Sequence, residues 1–208
     1  YVQAWLGFWF DEARRLAVAR LFQQRRLERI AACWTQKRFG ENFREHGADL
    51  RQLLDRAAED VGQAASFTEL FLVEARLTKQ LYAYVCRTTG YGDFTRVKRG
   101  KGQDMANRFL DHGNYLAYGL AGTATWILGL PHAFAVMHGK TRRGGLVFDV
   151  ADLIKDAVIM PEAFLAAMRG DSEQAFRAAC ITELMRTGSL DFLLDTLKEA
   201  AMTENAAV

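Results

Sequence analysis

Glu74 occupies a position where the surrounding sequence predicts a buried apolar side chain. In residues 67–88, apolar residues recur at three- and four-residue steps, which is the spacing of one face of a helix. That face comprises Phe67, Leu70, Phe71, Leu77, Leu81 and Val85. A carboxylate among them costs free energy unless it binds a cation or an ion-pair partner. The ordinary alternative is a Glu–Arg pair, although Arg76 and Lys79 fall on other faces of the helix.

A second group of carboxylates follows in the segment LVFDVADLIKD. Asp149 and Asp152 are three residues apart, so on a helix both side chains point the same way. Their apolar flanks are Val150, Leu153, Ile154 and Ala157. Two neighbouring carboxylates repel each other, and their pKa values rise unless a cation neutralises them. Stabilisation by the positive N-terminus of a helix would explain Asp149, but it explains Asp152, one turn further on, less well.

His138 follows the apolar segment AFAVM and precedes Asp149 by 11 residues. A lone histidine in such a place is more often a hydrogen-bonded core residue than a metal ligand. Together with two buried acids, however, it completes a mixed set of oxygen and nitrogen donors. Such a set suits Mn²⁺ or Mg²⁺ and leaves coordination positions for water and a substrate phosphate. The residue types therefore indicate a candidate site for one of these ions.

Basic and acidic segments alternate along the chain, although the net charge is only +2. Residues 1–44 carry nine Lys and Arg against four Asp and Glu, and residues 76–143 carry eleven against three. If these basic segments fold onto one face, they form a phosphate-binding surface beside the acidic residues. The alternative is a set of solvated helix faces whose opposite charges pair.

The candidate DNA-binding residues belong to two loops that flank the acidic residues in sequence. They are Arg96, Lys98, Arg99, Lys101, Lys140, Arg142 and Arg143. Binding of DNA phosphates by Lys and Arg is independent of base sequence and sensitive to salt. The alternative is that these residues only keep the loops soluble.

The elements that position these residues are all predicted to be helices, so the expected fold is an all-α domain. With two prolines in 208 residues, few helix breaks are forced. The predicted helices cover 4–34, 48–62, 67–88, 105–129, 147–157, a stretch from Pro161, one to about 187 capped by Asp171 with Gln174, and 189–202. Ser66 with Glu69 predicts a capping box before the third of these helices. Only Leu146–Phe148 hints at a strand.

Composition argues against several classes of protein. Three cysteines, far apart, give neither a zinc spacing nor a disulfide framework, so a reducing, cytoplasmic setting is expected. No apolar run reaches the roughly 18 residues of a membrane span, and no signal peptide is visible. A di-metal helical oxidase would need a Glu-x-x-His pair, which does not occur, and no elbow motif for a serine or cysteine nucleophile is present. The alternative to an enzyme is a helical scaffold that binds protein or DNA without chemistry.

The segments around these residues resemble the CRISPR adaptation integrase family, the nuclease subunit of spacer acquisition. They are LFLVEARLTKQLYAY, DMANRFLDHGNYLAYGLA and LPHAFAVMHGKTRRGGLVFDVADLIKD, and they look like the type I-F branch. The resemblance implies that Glu74, His138 and Asp152 bind one Mn²⁺ or Mg²⁺, with Asp149 as a supporting carboxylate. It also implies an endonuclease and integrase that joins a DNA 3′-hydroxyl to a backbone phosphodiester by metal-assisted transesterification. Whether His138 is a metal ligand or a general acid or base stays open.

The resemblance also implies a larger assembly. Residues 1–208 would be the helical catalytic domain of a longer protein, whose β-rich N-terminal domain would precede residue 1 and is absent from this chain. The expected partners are double-stranded DNA, a second copy of the full-length protein, and a small ferredoxin-like adaptation protein, which the type I-F branch fuses to a helicase-nuclease. No membrane association is expected.

Overall fold

The computed structural model describes residues 1–36, 39–41, 47–97, 104–138 and 143–202. Within these ranges the regular structure is helical and no strand occurs, which confirms the predicted all-α fold. The elements are α1 (Val2–Trp9), α2 (Glu12–Trp34), α3 (Gly47–Gln63), α4 (Phe67–Thr89), α5 (Met105–Ile127), α6 (Gly145–Ile154), a π-helical turn (Lys155–Ile159), α7 (Met160–Arg169), α8 (Glu173–Arg186) and α9 (Ser189–Met202). None of these helices is both long enough and apolar enough to cross a membrane.

The first predicted helix, 4–34, is wrong in one respect, because the structure divides it at Asp11. Helix α1 ends at Trp9, and α2 begins at Glu12. Asp11 has an extended backbone, and its side chain accepts a hydrogen bond from the Arg14 amide at 3.1 Å. An aspartate that caps a helix in this way satisfies an amide that would otherwise lack a partner within the helix. The break allows α1 to pack as a separate element.

The cap predicted at the start of α4 is confirmed. The Ser66 side chain accepts a hydrogen bond from the Glu69 amide at 3.2 Å, and the Glu69 carboxylate accepts one from the Ala65 amide at 2.7 Å. At the other end, Gly90 adopts a positive φ of 71°, which suits a glycine C-cap. Glu74 therefore lies in the second turn of a helix that is fixed at both ends.

The strand hinted at by Leu146–Phe148 is wrong, because these residues form the first turn of α6. A short apolar run does not by itself distinguish a strand from a buried helical turn. The predicted interruption between 157 and Pro161 is also absent. Instead, the π-helical turn joins α6 directly to α7, with Pro161 in the first turn of α7.

The π-helical turn is anchored to α2 by hydrogen bonds from a tryptophan side chain. The Trp34 indole N–H lies 3.2 Å from the Asp156 carbonyl and 3.1 Å from the Ala157 carbonyl, and it donates to both. Carbonyls in such a turn are displaced from regular α-helical hydrogen bonding, and a buried donor from a neighbouring helix satisfies them. The turn thus begins three residues after Asp152 and is anchored to α2.

The predicted cap of the next helix is displaced by one residue. Asp171 was expected to cap it with Gln174, but the Ser172 side chain accepts the hydrogen bond, from the Ala175 amide at 3.2 Å. The Asp171 carboxylate instead accepts two hydrogen bonds from Arg169, at 3.0 and 2.7 Å. Because the Asp171 carboxylate pairs with Arg169, Ser172 caps the helix instead.

Helices α2 and α5 are the most extensively packed elements. Helix α5 lies against α6 and α7, and α2 lies against α3, α6 and the π-helical turn. Gly113 permits the close approach of α5 to the turn, since a Cβ added there would lie 2.4 Å from the Ile159 side chain. Helix α4 completes this region by packing on α3 and α7. The acidic residues of α4 and α6 therefore face a shared interior.

Candidate metal centre

Glu74, His138 and Asp152 lie close enough together to shift one another's pKa. Helix α4 carries Glu74, the non-helical segment 130–138 carries His138, and α6 carries Asp152. The side chains are mostly buried, with exposed fractions of 14%, 21% and 10% in that order. The negative charges of Glu74 and Asp152 both favour the protonated imidazole of His138. Residues that are distant in the sequence thus form one electrostatic cluster.

Asp149 holds His138 through both the ring and the backbone. One carboxylate oxygen lies 2.6 Å from His138 Nδ1, and the carboxylate also accepts hydrogen bonds from the amides of Val136, Met137 and His138 at 2.7, 2.9 and 3.2 Å. The hydrogen bond with Asp149 raises the pKa of His138 above its ordinary value. With Nδ1 engaged, Nε2 is the ring nitrogen left for a metal ion or a proton.

The partner of Glu74 is Arg26 of α2, 48 residues away in the sequence. The Arg26 guanidinium lies 3.4 Å from Glu74 Oε1. The nearer cation considered from the sequence, Arg76, instead contacts Asp60 at 2.8 Å. Burial raises the pKa of Glu74, and Asp152 raises it further, although Arg26 opposes both effects. Glu74 is therefore a carboxylate that is only partly compensated by its arginine.

Asp152 pairs with Lys155, one turn later in the chain. Burial alone would raise the pKa of Asp152, but Lys155 and Arg26 outweigh burial and hold that pKa below its usual value. The rise in pKa expected of neighbouring carboxylates without a cation therefore does not occur at Asp152, because two cations lie beside it. Burial would also lower the pKa of Lys155, but Asp152 and Asp156 hold it above normal.

Arg26 is a residue of this cluster that sequence reasoning missed. Its side chain is 1% exposed, and it donates hydrogen bonds to Asp156 at 2.9 Å and to Gln23 and Thr78 at 3.0 Å each, in addition to its contact with Glu74. A signal for it exists in the sequence, since Arg26 falls four residues after one buried residue, Phe22, and four before another, Ile30. This is the same anomaly that identified Glu74.

The donor types fit a divalent cation, although its ligands are not assembled. Among the residues that the structure describes, no group of three or more His, Cys, Asp and Glu side chains is close enough to hold a metal ion. Glu74 and Asp152 contact cationic side chains instead. Two carboxylates and an imidazole oriented by a third carboxylate are nevertheless a set that suits Mn²⁺ or Mg²⁺. We conclude that the residues fit the ion in kind and that Arg26 and Lys155 supply positive charge beside the carboxylates.

A groove of about 1200 Å³ begins at Glu74 and Lys155 and follows α4 toward the segment after its C-terminus. Its aromatic lining consists of Phe71, Tyr82 and Phe94, and its cationic lining consists of Lys79, Arg87, Arg96 and Lys155. Burial raises the pKa of Tyr82 to about 12, so its hydroxyl stays protonated at neutral pH. Cations together with aromatic faces are the combination that binds single-stranded nucleic acid.

The candidate DNA-binding residues fall into three groups. Arg96 lines the groove, but its guanidinium also donates to Asn107 at 2.8 Å and to Asp111. Arg143 is exposed just before α6. Outside the residues that the structure describes lie Lys98, Arg99, Lys101, Lys140 and Arg142. Arg96 therefore has a structural role in holding the 90–97 segment on α5, whatever else it binds.

Comparison with known proteins gives consistent matches. Residues 6–175 match the family described as CRISPR associated protein Cas1. The chain is 57% identical over 203 residues to the CRISPR-associated endonuclease Cas1 of Pseudomonas aeruginosa and 51% identical over 206 residues to that of Pectobacterium atrosepticum. These matches cover 97% of this chain, which spans 63% and 62% of the two relatives.

Solved structures share the fold. A CAS1 protein from Thermotoga maritima has a TM-score of 0.75 at 16% identity, and the match covers 96% of this chain and 69% of that protein. The chain in a crystal structure of a TtCas1–DNA complex has a TM-score of 0.63 at 24% identity, with 85% of this chain and 65% of that chain covered. At these identities the similarity concerns the fold alone.

Proposed function

Because the chain belongs to the CRISPR-associated protein Cas1 family, we propose that it is a metal-dependent DNA endonuclease and integrase domain that joins spacer DNA ends into a CRISPR array. The observation that carries this proposal is the cluster of Glu74, His138, Asp149 and Asp152 at one end of a groove lined by cations and aromatic rings. The relatives named CRISPR-associated endonuclease Cas1 support it, as does the DNA complex of a protein with the same fold.

Glu74, His138 and Asp152 would hold one Mn²⁺ or Mg²⁺. The chemistry supplied by the bound ion is polarisation of a phosphoryl oxygen and stabilisation of the negative charge that develops on it. Asp149 stays bound to Nδ1 and to the backbone of the segment before His138, so it orients the imidazole without leaving its own hydrogen bonds. Lys155 and Arg26 limit the repulsion between the Glu74 and Asp152 carboxylates.

His138 has a second possible role, which excludes the first. If Nε2 does not bind the ion, it can accept a proton from the attacking hydroxyl or donate one to the leaving oxygen. Its raised pKa means that the imidazole keeps its proton to a higher pH than an ordinary histidine does. Only one of the two roles is available, because Asp149 already holds Nδ1.

The groove would position the DNA end beside these residues. Lys79 and Arg87 are exposed on its wall and can contact phosphates, and Tyr82 and Phe94 offer rings on which unpaired bases stack. A 3′-hydroxyl brought to the Glu74 end of the groove would attack a phosphodiester of a second DNA backbone. A new P–O bond forms as the P–O bond to the 3′-oxygen of the attacked strand breaks, and that oxygen leaves as a hydroxyl, which is the joining reaction. Water in the same place would give strand cleavage.

The ion pairs favour one other candidate function. Glu74 contacts Arg26, and Asp152 contacts Lys155, which is the arrangement expected of a helical scaffold that binds DNA or protein without chemistry. The scaffold and the enzyme differ in one measurable respect, since only the enzyme needs Glu74 and Asp152 for strand cleavage.

We further propose that residues 1–208 form the helical catalytic domain of a longer cytoplasmic protein with a β-rich N-terminal domain. The chain spans about 63% of the length of the first relative, which leaves room for such a domain. That protein would act as a homodimer on double-stranded DNA, with a small ferredoxin-like adaptation protein as its partner.

We expect Mn²⁺ to raise the melting temperature of the chain, and the effect to grow with pH. An ion at one hundred times its Kd stabilises a protein by about 2.7 kcal/mol. The ion competes with a proton for His138, whose pKa is raised, so its effect should fall as pH drops through that raised value. In the absence of metal, the stability of the chain should change with pH in the opposite direction. The pair of His138 and Asp149 stabilises the fold below about pH 6.5, and this contribution is lost as pH rises through the raised pKa.

Calorimetry with and without Mn²⁺ measures both slopes. Asp152→Ala should abolish the metal-dependent rise, whereas Asp195→Ala, which removes a carboxylate that is 75% exposed, should leave it unchanged. An identical rise in Asp152→Ala would show that the ion binds elsewhere.

Replacing Arg142 and Arg143 by alanine should weaken the salt dependence of binding to duplex DNA. Each cation that neutralises a phosphate contributes about 0.9 to the slope of log affinity against log salt concentration, so the slope should fall by about 1.8. Preference among DNA sequences should not change, because phosphate contacts carry no base information. Lys198→Ala in α9, a helix that contributes nothing to the groove, is the control. An unchanged slope would mean that these two arginines do not bind phosphate and only keep the loop soluble.

A further inference from the structure

The segment 130–138, which includes His138, has no helix, and side chains of α1 and α6 form hydrogen bonds with its backbone. Two of its carbonyls accept hydrogen bonds from indoles of α1. The Trp5 indole N–H donates to Phe134 O at 3.0 Å, and the Trp9 indole N–H donates to Ala135 O at 2.7 Å. Asp149 accepts from the next three amides. Side chains therefore supply the partners that a helix would supply from its own backbone.

The segment also contacts Gly145, the first residue of α6. A Cβ added to Gly145 would lie 2.8 Å from the Ala135 Cβ and 3.0 Å from the His138 carbonyl oxygen. Any other residue would therefore displace the segment or α6. The segment thus contacts both an indole and a glycine at Ala135, three residues before the imidazole.

The Trp9 ring is itself fixed by neighbours on two other elements. The Phe134 ring meets it edge-on at 4.8 Å. The Arg15 guanidinium of α2 lies 5.5 Å from the Trp9 ring and 5.0 Å from the Phe67 ring at the start of α4. Cation–π contacts of this kind link α1 to the helix that carries Glu74. The position of the Trp9 N–H is thus set relative to α4 as well as to the segment.

We propose that Trp9 and Gly145 are positioning residues for His138, and this proposal rests on the proposed function of His138 in the metal site. Asp149 fixes the direction of the imidazole ring, but only if the backbone at His138 lies where its hydrogen bonds can form. Trp9 and Gly145 set that backbone position through a hydrogen bond and through close packing. Helix α1 therefore contributes to the site although, of its residues, neither Trp5 nor Trp9 bonds to the imidazole itself.

The test compares three variants of the 208-residue chain. Trp9→Phe removes the indole N–H and keeps a ring against Phe134, whereas Gly145→Ala displaces the segment and leaves Trp9 intact. Trp126→Phe makes the same chemical change on α5 at a side chain that is 77% exposed, and it serves as the matched control. The first readout is the NMR signal of the His138 Nδ1 proton in its bond to Asp149, recorded without metal and assigned by its loss in His138→Gln. The second is the affinity for Mn²⁺.

We expect the Nδ1 proton signal to shift or broaden in Trp9→Phe and Gly145→Ala and to stay unchanged in Trp126→Phe. Affinity for Mn²⁺ should fall by about tenfold in the first two variants, the lower end of the range for groups that orient ligands. An unchanged signal in a folded Trp9→Phe, as judged by circular dichroism, would overturn the proposal. If Trp9→Phe does not fold, an unchanged signal in Gly145→Ala overturns it. Failure of the unaltered chain to bind Mn²⁺ would count against the proposed function, whereas the NMR comparison would still decide the positioning role.

Discussion

Single replacement of Glu74, His138 or Asp152 by alanine should reduce metal-dependent strand cleavage and joining by roughly 10²- to 10³-fold, the usual cost of losing a group that stabilises transition-state charge. The three residues should behave as one unit, because an ion that lacks any one ligand is weakly bound and badly placed. A double variant should therefore lose little more than either single variant. The assay is run on the longer protein of which this chain is proposed to be the catalytic domain, with Mn²⁺ in excess.

DNA binding by these variants should be largely retained, because the lysines and arginines proposed to bind phosphate are other residues. Asp195→Ala, which removes an exposed carboxylate from α9, controls for the loss of one negative charge. Full cleavage activity in Glu74→Ala would refute the metal assignment and favour the scaffold alternative, in which the pair of Glu74 and Arg26 is only structural.

Of the substitutions proposed here, Asp149→Ala should destabilise the chain most. It should lower the free energy of unfolding by about 3 to 5 kcal/mol. The variant leaves three backbone amides and an imidazole nitrogen without the carboxylate that now accepts from them. A buried donor without a partner costs about 1–3 kcal/mol, and a buried charge that loses its partner costs about 3–5 kcal/mol. Denaturant unfolding of the metal-free chain measures the effect.

A matched variant and a second readout sharpen this test. Asp171→Ala removes two hydrogen bonds from Arg169 at the surface and should cost less than about 1 kcal/mol. Where Asp149→Ala is still folded, its cleavage activity should fall by about 10- to 100-fold, less than in the ligand variants. A stability loss no greater than that of Asp171→Ala would mean that water replaces the carboxylate.

Local signals in the sequence were sufficient for most helices and for the acidic residues of the candidate site. The capping pair of Ser66 and Glu69 and the positive-φ Gly90 lie within or next to the helix that they delimit, so a short window contains the whole cause. Glu74 was recognisable because it interrupts a helical stripe of apolar residues. Such periodic anomalies depend on neighbours three and four residues away, which the sequence displays directly.

The remainder depends on contacts between distant residues. The Arg26 partner of Glu74 is 48 residues away, and no spacing rule connects the two. Asp149 was expected to point in the same direction as Asp152. In the structure its carboxylate mainly accepts hydrogen bonds from backbone amides of the irregular segment that precedes α6. The break at Asp11 also went unpredicted, since the apolar pattern of 4–34 continues across it and the cap involves only one hydrogen bond.

The π-helical turn lets this part of the chain hold one residue more than a continuous α-helix would. An α-helix turns by about 100° per residue, and a π-helical turn accommodates one residue more than an α-helical turn does. Deleting one residue from the turn would therefore give an α-helical turn and keep α7 in nearly the same orientation relative to α6. Inserting a further residue would instead rotate α7 by about 100° relative to α6, and the wholly buried Glu162 and Phe164 would then leave the core. Losing a residue and gaining one thus have opposite consequences between Asp152 and Pro161, because the turn already holds the one extra residue that it can accommodate.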